Sequence, residues 1–421
     1  MDRENWRPRL RSLEIIPTEH EGQNVLLLRD SLHLSDETLV VPMSLVPVLQ
    51  RLDGSHTLEE IRREIRTEFK LEIPAENIRN VFSLLEQAHF LGGEEFEAWQ
   101  RRVEQSYLDA AVRPSYLAGK SYDADPAALR SQIDSFFTDA DGPGLPPPNG
   151  GAGGSPLRGL VAPHIDFQRG GPAFAWSYRA LADRAAADVF VVLGTVHAPT
   201  RGMYTLTRKS FETPLGALEV DASFVDALVR RAPGDLFEDE FAQRGEHSIE
   251  FQAVFLRYLY PEPKPVRFVP VLVGSFGNFV AEGRSPEGDA EVEGFIEALK
   301  GVVAEFEAEA AGRRVCLLAS VDLAHVGPQF GDEKPVDEGQ LRALEEADRA
   351  SLDAVCRGDA EAFYWSVAED GDARNVCGLA PIYTMLRALE GCRGEVLRYS
   401  QWPDPGGTVT FCSVALESAG A

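Results

Sequence analysis

Three times the chain runs through a short, nearly unbroken apolar stretch and then sets a histidine just beyond it. Leu160-Val161-Ala162 leads through Pro163 to His164, Val189-Phe190-Val191-Val192-Leu193 leads to His197, and Val315-Cys316-Leu317-Leu318-Ala319 leads to His325. Runs of this length, rich in Val and Leu and lacking polar alternation, read as strands buried on both faces. Strands of that kind belong to a mostly parallel α/β sheet, in which the loops leaving the carboxyl ends open into one crevice. Three histidines at three such ends are therefore expected to meet in space.

The rest of the second half fits this architecture. Helical spacing recurs at 173–181, 222–231, 291–308, 337–356 and 360–368, and again from about Leu379. Strand patterns fall at 266–273, 396–401 and 408–415, and the segments 203–206 and 218–220 read as a pair of hairpin strands. Strand and helix in alternation predict a mixed sheet flanked by helices.

A chain of 421 residues is too long for one small core. Residues 1–110 read as a separate small domain and 113–421 as the α/β domain, the latter interrupted by a mobile Gly/Pro-rich insertion at 141–157. In the first domain 25–28 and 39–41 read as strands and 44–52 as a helix stopped by Asp53-Gly54. Thr57 and Glu60 form a capping box for a helix buried through Ile61, Ile65 and Phe69. Pro74 opens a further helix with the stripe Ile78, Val81, Phe82, Leu84 and Leu85, closed by Phe90-Leu91-Gly92-Gly93.

A formal charge of −26 argues against nucleic acid and against an anionic membrane surface, both of which are bound through clustered Lys and Arg. No apolar run is long enough to span a bilayer, and the N-terminus lacks the core of a signal peptide. The five cysteines, Cys316, Cys356, Cys377, Cys392 and Cys412, are odd in number and show no CxxC spacing. They predict a reduced, cytoplasmic chain without a disulfide framework.

His164, His197, His247 and His325 are the histidines of the second domain. Neutral imidazole is the commonest metal ligand and needs an orienting partner on its other nitrogen. Asp166 and Asp322 lie close to His164 and His325 in sequence; Asp166 reads as an ordinary loop acid. In Glu246-His247-Ser248-Ile249-Glu250 the acids read as complements to a helix N-terminus. Cys377 precedes an apolar helical pattern, a position expected to favour its thiolate as ligand or nucleophile.

Six motifs in order carry a resemblance to a known family. They are A-G-x-x-Y at Ala118 to Tyr122, A-P-H at Ala162 to His164 and L-G-x-x-H at Leu193 to His197. E-H-S-I-E at Glu246 to Glu250, S-x-D-x-x-H at Ser320 to His325 and C-G-x-x-P-I at Cys377 to Ile382 complete the set. With them, residues from about 113 to 418 resemble the Memo family, including the bacterial AmmeMemoRadiSam system protein B. That fold is similar to the class III extradiol dioxygenases, which hold non-haem Fe(II) with two histidines and a carboxylate. The resemblance implies His164 and His197 as metal ligands, and Cys377 where the dioxygenases have glutamate. It implies His325 as an acid/base group with Asp322 beside it, and His247 facing the substrate pocket. A thiolate in place of a carboxylate favours copper, zinc or altered iron chemistry over ordinary catechol cleavage. Ser121 departs from the aromatic usual at that place in the family.

The stretch 49–92, with Leu49, Leu52, Asp53, Gly54 and Thr57 in an L-x-x-L-D-G-x-x-T pattern, resembles the winged-helix-like PqqD fold. That resemblance implies either peptide presentation to a partner enzyme or an accessory domain packing on its neighbour. The family likeness further implies a radical SAM enzyme and an AMMECR-type protein as partners. The expected function is a redox metalloenzyme using iron or copper, with zinc as the alternative metal, in a dioxygenase-like, oxygen-dependent or other redox reaction on a peptide. The alternatives are a non-catalytic binding scaffold, and an acyl-transfer enzyme in which Cys377, His325 and Asp322 act without metal.

Overall fold

The apolar runs become strands because helices cover both of their faces. In the computed structural model, which describes residues 5–20, 22–30, 34–147, 157–184, 187–262, 266–308 and 313–418, the chain forms two units, Met1–Asp109 and Ala110–Ala421.

The first unit opens with an antiparallel sheet of Glu14–His20, Gln23–Arg29 and Thr38–Pro42. Helices Leu58–Phe69, Ala75–Gln87 and Glu94–Asp109 follow a short helical segment at Val46–Leu49. The Thr57–Glu60 capping box is present in both directions. Leu28, Val48, Ile61, Ile65, Ile78 and Phe90 are among the residues that close its core. Two residues of the expected buried stripes are not in it. Phe69 is 41% exposed because its helix ends there, at a left-handed Lys70, and the Arg51 guanidinium covers its ring instead. Leu84 is 54% exposed, since at 100° per residue it points away from the face shared by Ile78, Val81, Phe82 and Leu85. Glu14–His20 escapes a pattern reading because it is an edge strand that contains Pro17 and buries no residue fully.

Among the described residues, the second unit is built on a nine-stranded sheet. Its centre consists of β1 (Leu157–Ala162), β2 (Val189–Thr195), β3 (Arg267–Val273), β4 (Val315–Ser320) and β5 (Thr408–Ser418), in the spatial order β5-β1-β4-β2-β3. The strands β1, β4, β2 and β3 run parallel, and β5 is antiparallel to β1 and to its hairpin partner Cys392–Trp402. Ser320 pairs with Ala162 on one side and Gly194 on the other, so three parallel strands end level with one another. That register is what brings the following loops together.

Helices α1 (Phe167–Arg184) and α2 (His247–Leu259) pack on each other and on this sheet, as do α3 (Leu379–Ala388) and the helix Ala290–Ala308. Among the described residues no helix is long and apolar enough to cross a membrane, and all five cysteines are free.

Several boundaries differ from expectation for steric reasons. Helix α1 starts at Phe167, before Gly170, Gly171 and Pro172, which look like breakers in the sequence. Both glycines serve close approach instead: a Cβ would stand 2.3 Å from Ile165 Cγ2 at the first and 2.3 Å from Phe136 Cδ1 at the second. Tyr204–Leu206 and Glu219–Val220 do not pair as a hairpin. Each leans on β3, the first antiparallel and the second parallel to it. Of the Gly/Pro-rich insertion, residues 148–156 lie outside the described residues. Its beginning is fastened to α1: Trp176 Nε1 donates to the Asp141 carbonyl, and Arg179 donates to the carbonyls of Pro143, Gly144 and Leu145.

Candidate metal centre

Three of the four parallel strand ends deliver one group each. β1 hands on to His164, β2 to His197 and β4 to Asp322, while α2 begins at His247 and Cys377 lies just before α3. One ring nitrogen from each of His164, His197 and His247 lies within 4.8 Å of the other two, a spacing that could hold a metal ion. The ring centroids are 5.1, 5.1 and 4.7 Å apart. His164 is 2% exposed, whereas the His197 side chain is 41% exposed, so the cluster runs from the sheet's interior out to solvent.

The Nδ1 atoms are already engaged. His164 Nδ1 lies 3.1 Å from the Ser320 carbonyl, which directs Nε2 away from the sheet end. His197 Nδ1 is 3.1 Å from Glu246, and His247 Nδ1 is 3.2 Å from the same carboxylate. Tying down one imidazole nitrogen fixes the tautomer and aims the other, as around metal ions generally. Glu246 also accepts the backbone N–H groups of His197 (2.9 Å) and Ser248 (3.0 Å), so it caps α2 while joining that helix to the β2 loop.

Close packing makes the junction work. At Gly194, in the L-G-x-x-H motif, a Cβ would stand 2.6 Å from Ser248 Oγ and 2.7 Å from Ile249 Cγ1. The first turn of α2 can therefore reach the end of β2 only over a glycine. Gly194→Ala is expected to lower stability by about 1–3 kcal/mol through overpacking, read as a fall in the denaturant midpoint at constant slope. An unchanged midpoint would show that the turn shifts without strain.

Cys377 joins the cluster through His164, with Sγ 3.4 Å from Nε2 and 3.4 Å from the Asp322 carbonyl oxygen. Its own carbonyl accepts from Thr195 Oγ1 at 3.1 Å. Asp322 takes the His164 N–H at 3.0 Å, and its other oxygen lies 3.7 Å from His164 Nε2. His325 is placed differently: its Nδ1 is shared between the carbonyls of Leu323 (3.1 Å) and Asn375 (3.2 Å), and its ring meets Phe330 edge-on. The sulfur is thus bonded to His164 and the Asp322 carbonyl, not to His325. The nucleophile–base contact that a metal-free Cys-His-Asp set requires is not made. Asp166 pairs with Arg169, as a loop acid should.

Electrostatics separate these groups. Burial, with His247 and His197 nearby, holds His164 well below the usual histidine range. Burial also lowers His325, to about 4. At His197 burial works in the same direction, but the Glu246 charge and hydrogen bond outweigh it and raise the pKa. Burial would raise Glu246; the two imidazoles and its hydrogen bonds instead hold it well below the carboxylate range. Burial pushes Asp322 up to about 7. Burial and the Asp322 charge push the Cys377 thiol well above its usual range, so the helix start does not make a thiolate there. A bound cation would reverse that balance, because a coordinated thiol ionises.

Glu246, whose carboxylate meets both His197 and His247, is the residue that the pattern reading gave only a capping role. The available signal was an acidic N-cap directly before a histidine at an element end. Glu250, treated alike, does something else: it pairs with Arg113 at 2.6 Å, accepts the N–H groups of Tyr116 and Leu117, and takes the Tyr122 hydroxyl. The A-G-x-x-Y segment is thereby anchored to α2.

The profile of the family described as Memo-like protein matches residues 113–410. A MEMO1 family protein of Methanopyrus kandleri is 33% identical over 300 residues, covering 70% of this chain and 94% of that one. MEMO1 family proteins of Aquifex aeolicus (26% identical, 79% of each chain) and Thermus thermophilus (27% identical, 82% of this chain and 93% of that one) are also similar. The matched span holds every group of the histidine cluster, and the chain belongs to the Memo-like protein family.

Proposed function

We propose that this chain is a redox metalloprotein that holds non-haem iron or copper on His164 and His197, with Cys377 and His247 completing the donor set. One observation carries the reading: three imidazoles with their Nδ1 atoms engaged converge beside a thiol. Imidazole suits iron, copper and zinc alike, and a soft sulfur donor favours copper(I) or zinc and alters iron chemistry. When bound, iron or copper would supply one-electron and oxygen chemistry. The chain's own residues do the rest. Asp322, near 7, can hold or release a proton at neutral pH, and His325 keeps Nε2 as its basic nitrogen. The exposed His197 edge leaves a way in for substrate.

The likeness of the N-terminal unit to the PqqD fold supports a peptide as substrate. The family likeness supports a radical SAM enzyme and an AMMECR-type protein as partners, and five free cysteines support a cytoplasmic location.

Metal content by mass spectrometry tests the reading, on wild type and Cys377→Ala purified anaerobically after expression with iron and copper supplied. Near-stoichiometric iron or copper in wild type is expected, with a large loss in the variant. A wild-type protein without either metal would sink the proposal.

A further inference from the structure

Behind His325 lies a buried polar network that none of the six motifs contains. Its centre is Asp348, on the helix Glu338–Arg357, with no exposed side-chain surface. Three donors converge on its carboxylate: Arg374 Nη1 at 2.6 Å, Tyr399 OH at 3.0 Å and Thr410 Oγ1 at 2.5 Å. Arg374 is fastened further by Ser351 Oγ and the Ser366 carbonyl, each at 3.0 Å.

Two of these donors lead directly to His325. The Thr410 hydroxyl, which donates its hydrogen bond to Asp348, accepts the N–H of Ala324 at 2.9 Å, and the Thr410 backbone exchanges hydrogen bonds with Leu323 and Ala324. Arg374 accepts the His325 N–H on its carbonyl at 2.7 Å. The next residue, Asn375, holds a left-handed φ of 50°, accepts from His325 Nδ1 on its carbonyl and donates its side-chain amide to the His325 carbonyl. The two carbonyls that receive His325 Nδ1, those of Leu323 and Asn375, thus belong to the two backbone segments that Asp348 holds, one through Thr410 and one through Arg374.

We propose that Asp348, acting through Thr410 and Arg374, is a positioning residue that locks His325 in the Nδ1–H tautomer and so makes Nε2 its proton-accepting atom. This rests on the reading of His325 as the proton-moving group of the metal site. The chemistry of the carboxylate gives the lock its direction. Only an acceptor at Asp348 lets the Thr410 hydroxyl point away from Ala324 and keep a lone pair for that N–H. Thr410 and Tyr399 share one carboxylate oxygen and Arg374 takes the other, so an amide at 348 must turn its donor group towards one side or the other, and in either orientation one of the clamps on the Ala324–His325 segment would open.

The test is long-range 15N–1H spectroscopy of the full chain, labelled at histidine and free of metal, on wild type, Thr410→Val, Thr410→Ser and Asp348→Asn. Wild type and Thr410→Ser, which keeps the hydroxyl, should show a protonated Nδ1 and an unprotonated Nε2 at His325. In the near-isosteric Thr410→Val and in Asp348→Asn the two nitrogen shifts should converge as the tautomers mix. A His325 that stays fully Nδ1–H in either variant overturns the proposal. So does failure of both to fold, which would make the network a folding element alone. Iron and copper content, measured on separate preparations of the same four proteins expressed with both metals supplied, should be equal because His325 is not among the proposed ligands. Loss of metal from wild type itself would bear on the metal reading and leave the tautomer result standing.

Discussion

Arg113→Leu is expected to destabilise the second unit by about 3–5 kcal/mol, the range for stranding one half of a buried ion pair. Arg113 and Glu250 expose no side-chain surface, and their heads meet at 2.6 Å. The guanidinium also donates Nε to the Gln243 carbonyl at 2.6 Å and Nη2 to the Glu246 carbonyl at 2.9 Å. Leucine leaves a dry carboxylate with only the Tyr116 and Leu117 N–H groups and the Tyr122 hydroxyl, and takes a donor from the Gln243 and Glu246 carbonyls in the segment that leads into α2. Urea unfolding would measure the loss. The double variant Arg113→Leu/Glu250→Leu should recover part of it, since removing both charges removes the stranded one. A single-variant loss under about 1 kcal/mol would mean that water reaches Glu250 in the native state.

If the proposed metal site is right, Glu246→Gln is expected to weaken metal binding about 100-fold, the upper end of what removing an outer partner of a ligand histidine costs. One carboxylate orients two rings, His197 and His247, and its depressed pKa keeps it an acceptor towards both. Glutamine can present one oxygen to one ring and must turn its amide donor towards the other. Competition against a chelator under anaerobic conditions would read the change in affinity for iron(II) and copper(I). Binding within threefold of wild type would show that the rings hold their places without Glu246.

The parts of the fold visible in the sequence were those governed by continuous burial. β1, β2 and β4 announce themselves because both faces are covered, and their level ends follow from parallel pairing of runs of similar length. The same reasoning set His164, His197 and His325 together; the first two come within reach of each other, whereas His325 is not among the three clustered rings, its Nδ1 being turned to the Leu323 and Asn375 carbonyls. The inclusion of His247 was not readable, because it depends on Gly194 letting α2 approach, and a glycine in a strand does not say what comes close. Glu246 was hidden behind its own second role as a helix cap. The Asp348 network was invisible for a different reason: its members are far apart in the chain and sit inside otherwise ordinary helix and strand patterns. The misplaced start of α1 has the same root as the missed α2 contact, since Gly170 and Gly171 mark closeness and not a break.

Arg113 also sets where this chain can be divided. The second unit begins at Ala110, with only Ala111 and Val112 before the arginine, and Val112–Arg113 already pairs with Ser210–Phe211. The Gly/Pro-rich segment after Asp141, which looks like the natural seam, lies downstream of Arg113, Tyr122 and the helix Pro126–Thr138. Recombination or truncation at that segment would separate the α/β unit from the counterion of its own site helix. A cut that keeps Arg113 with Glu250 and still parts the two units therefore has only the few residues ahead of Arg113 to fall in.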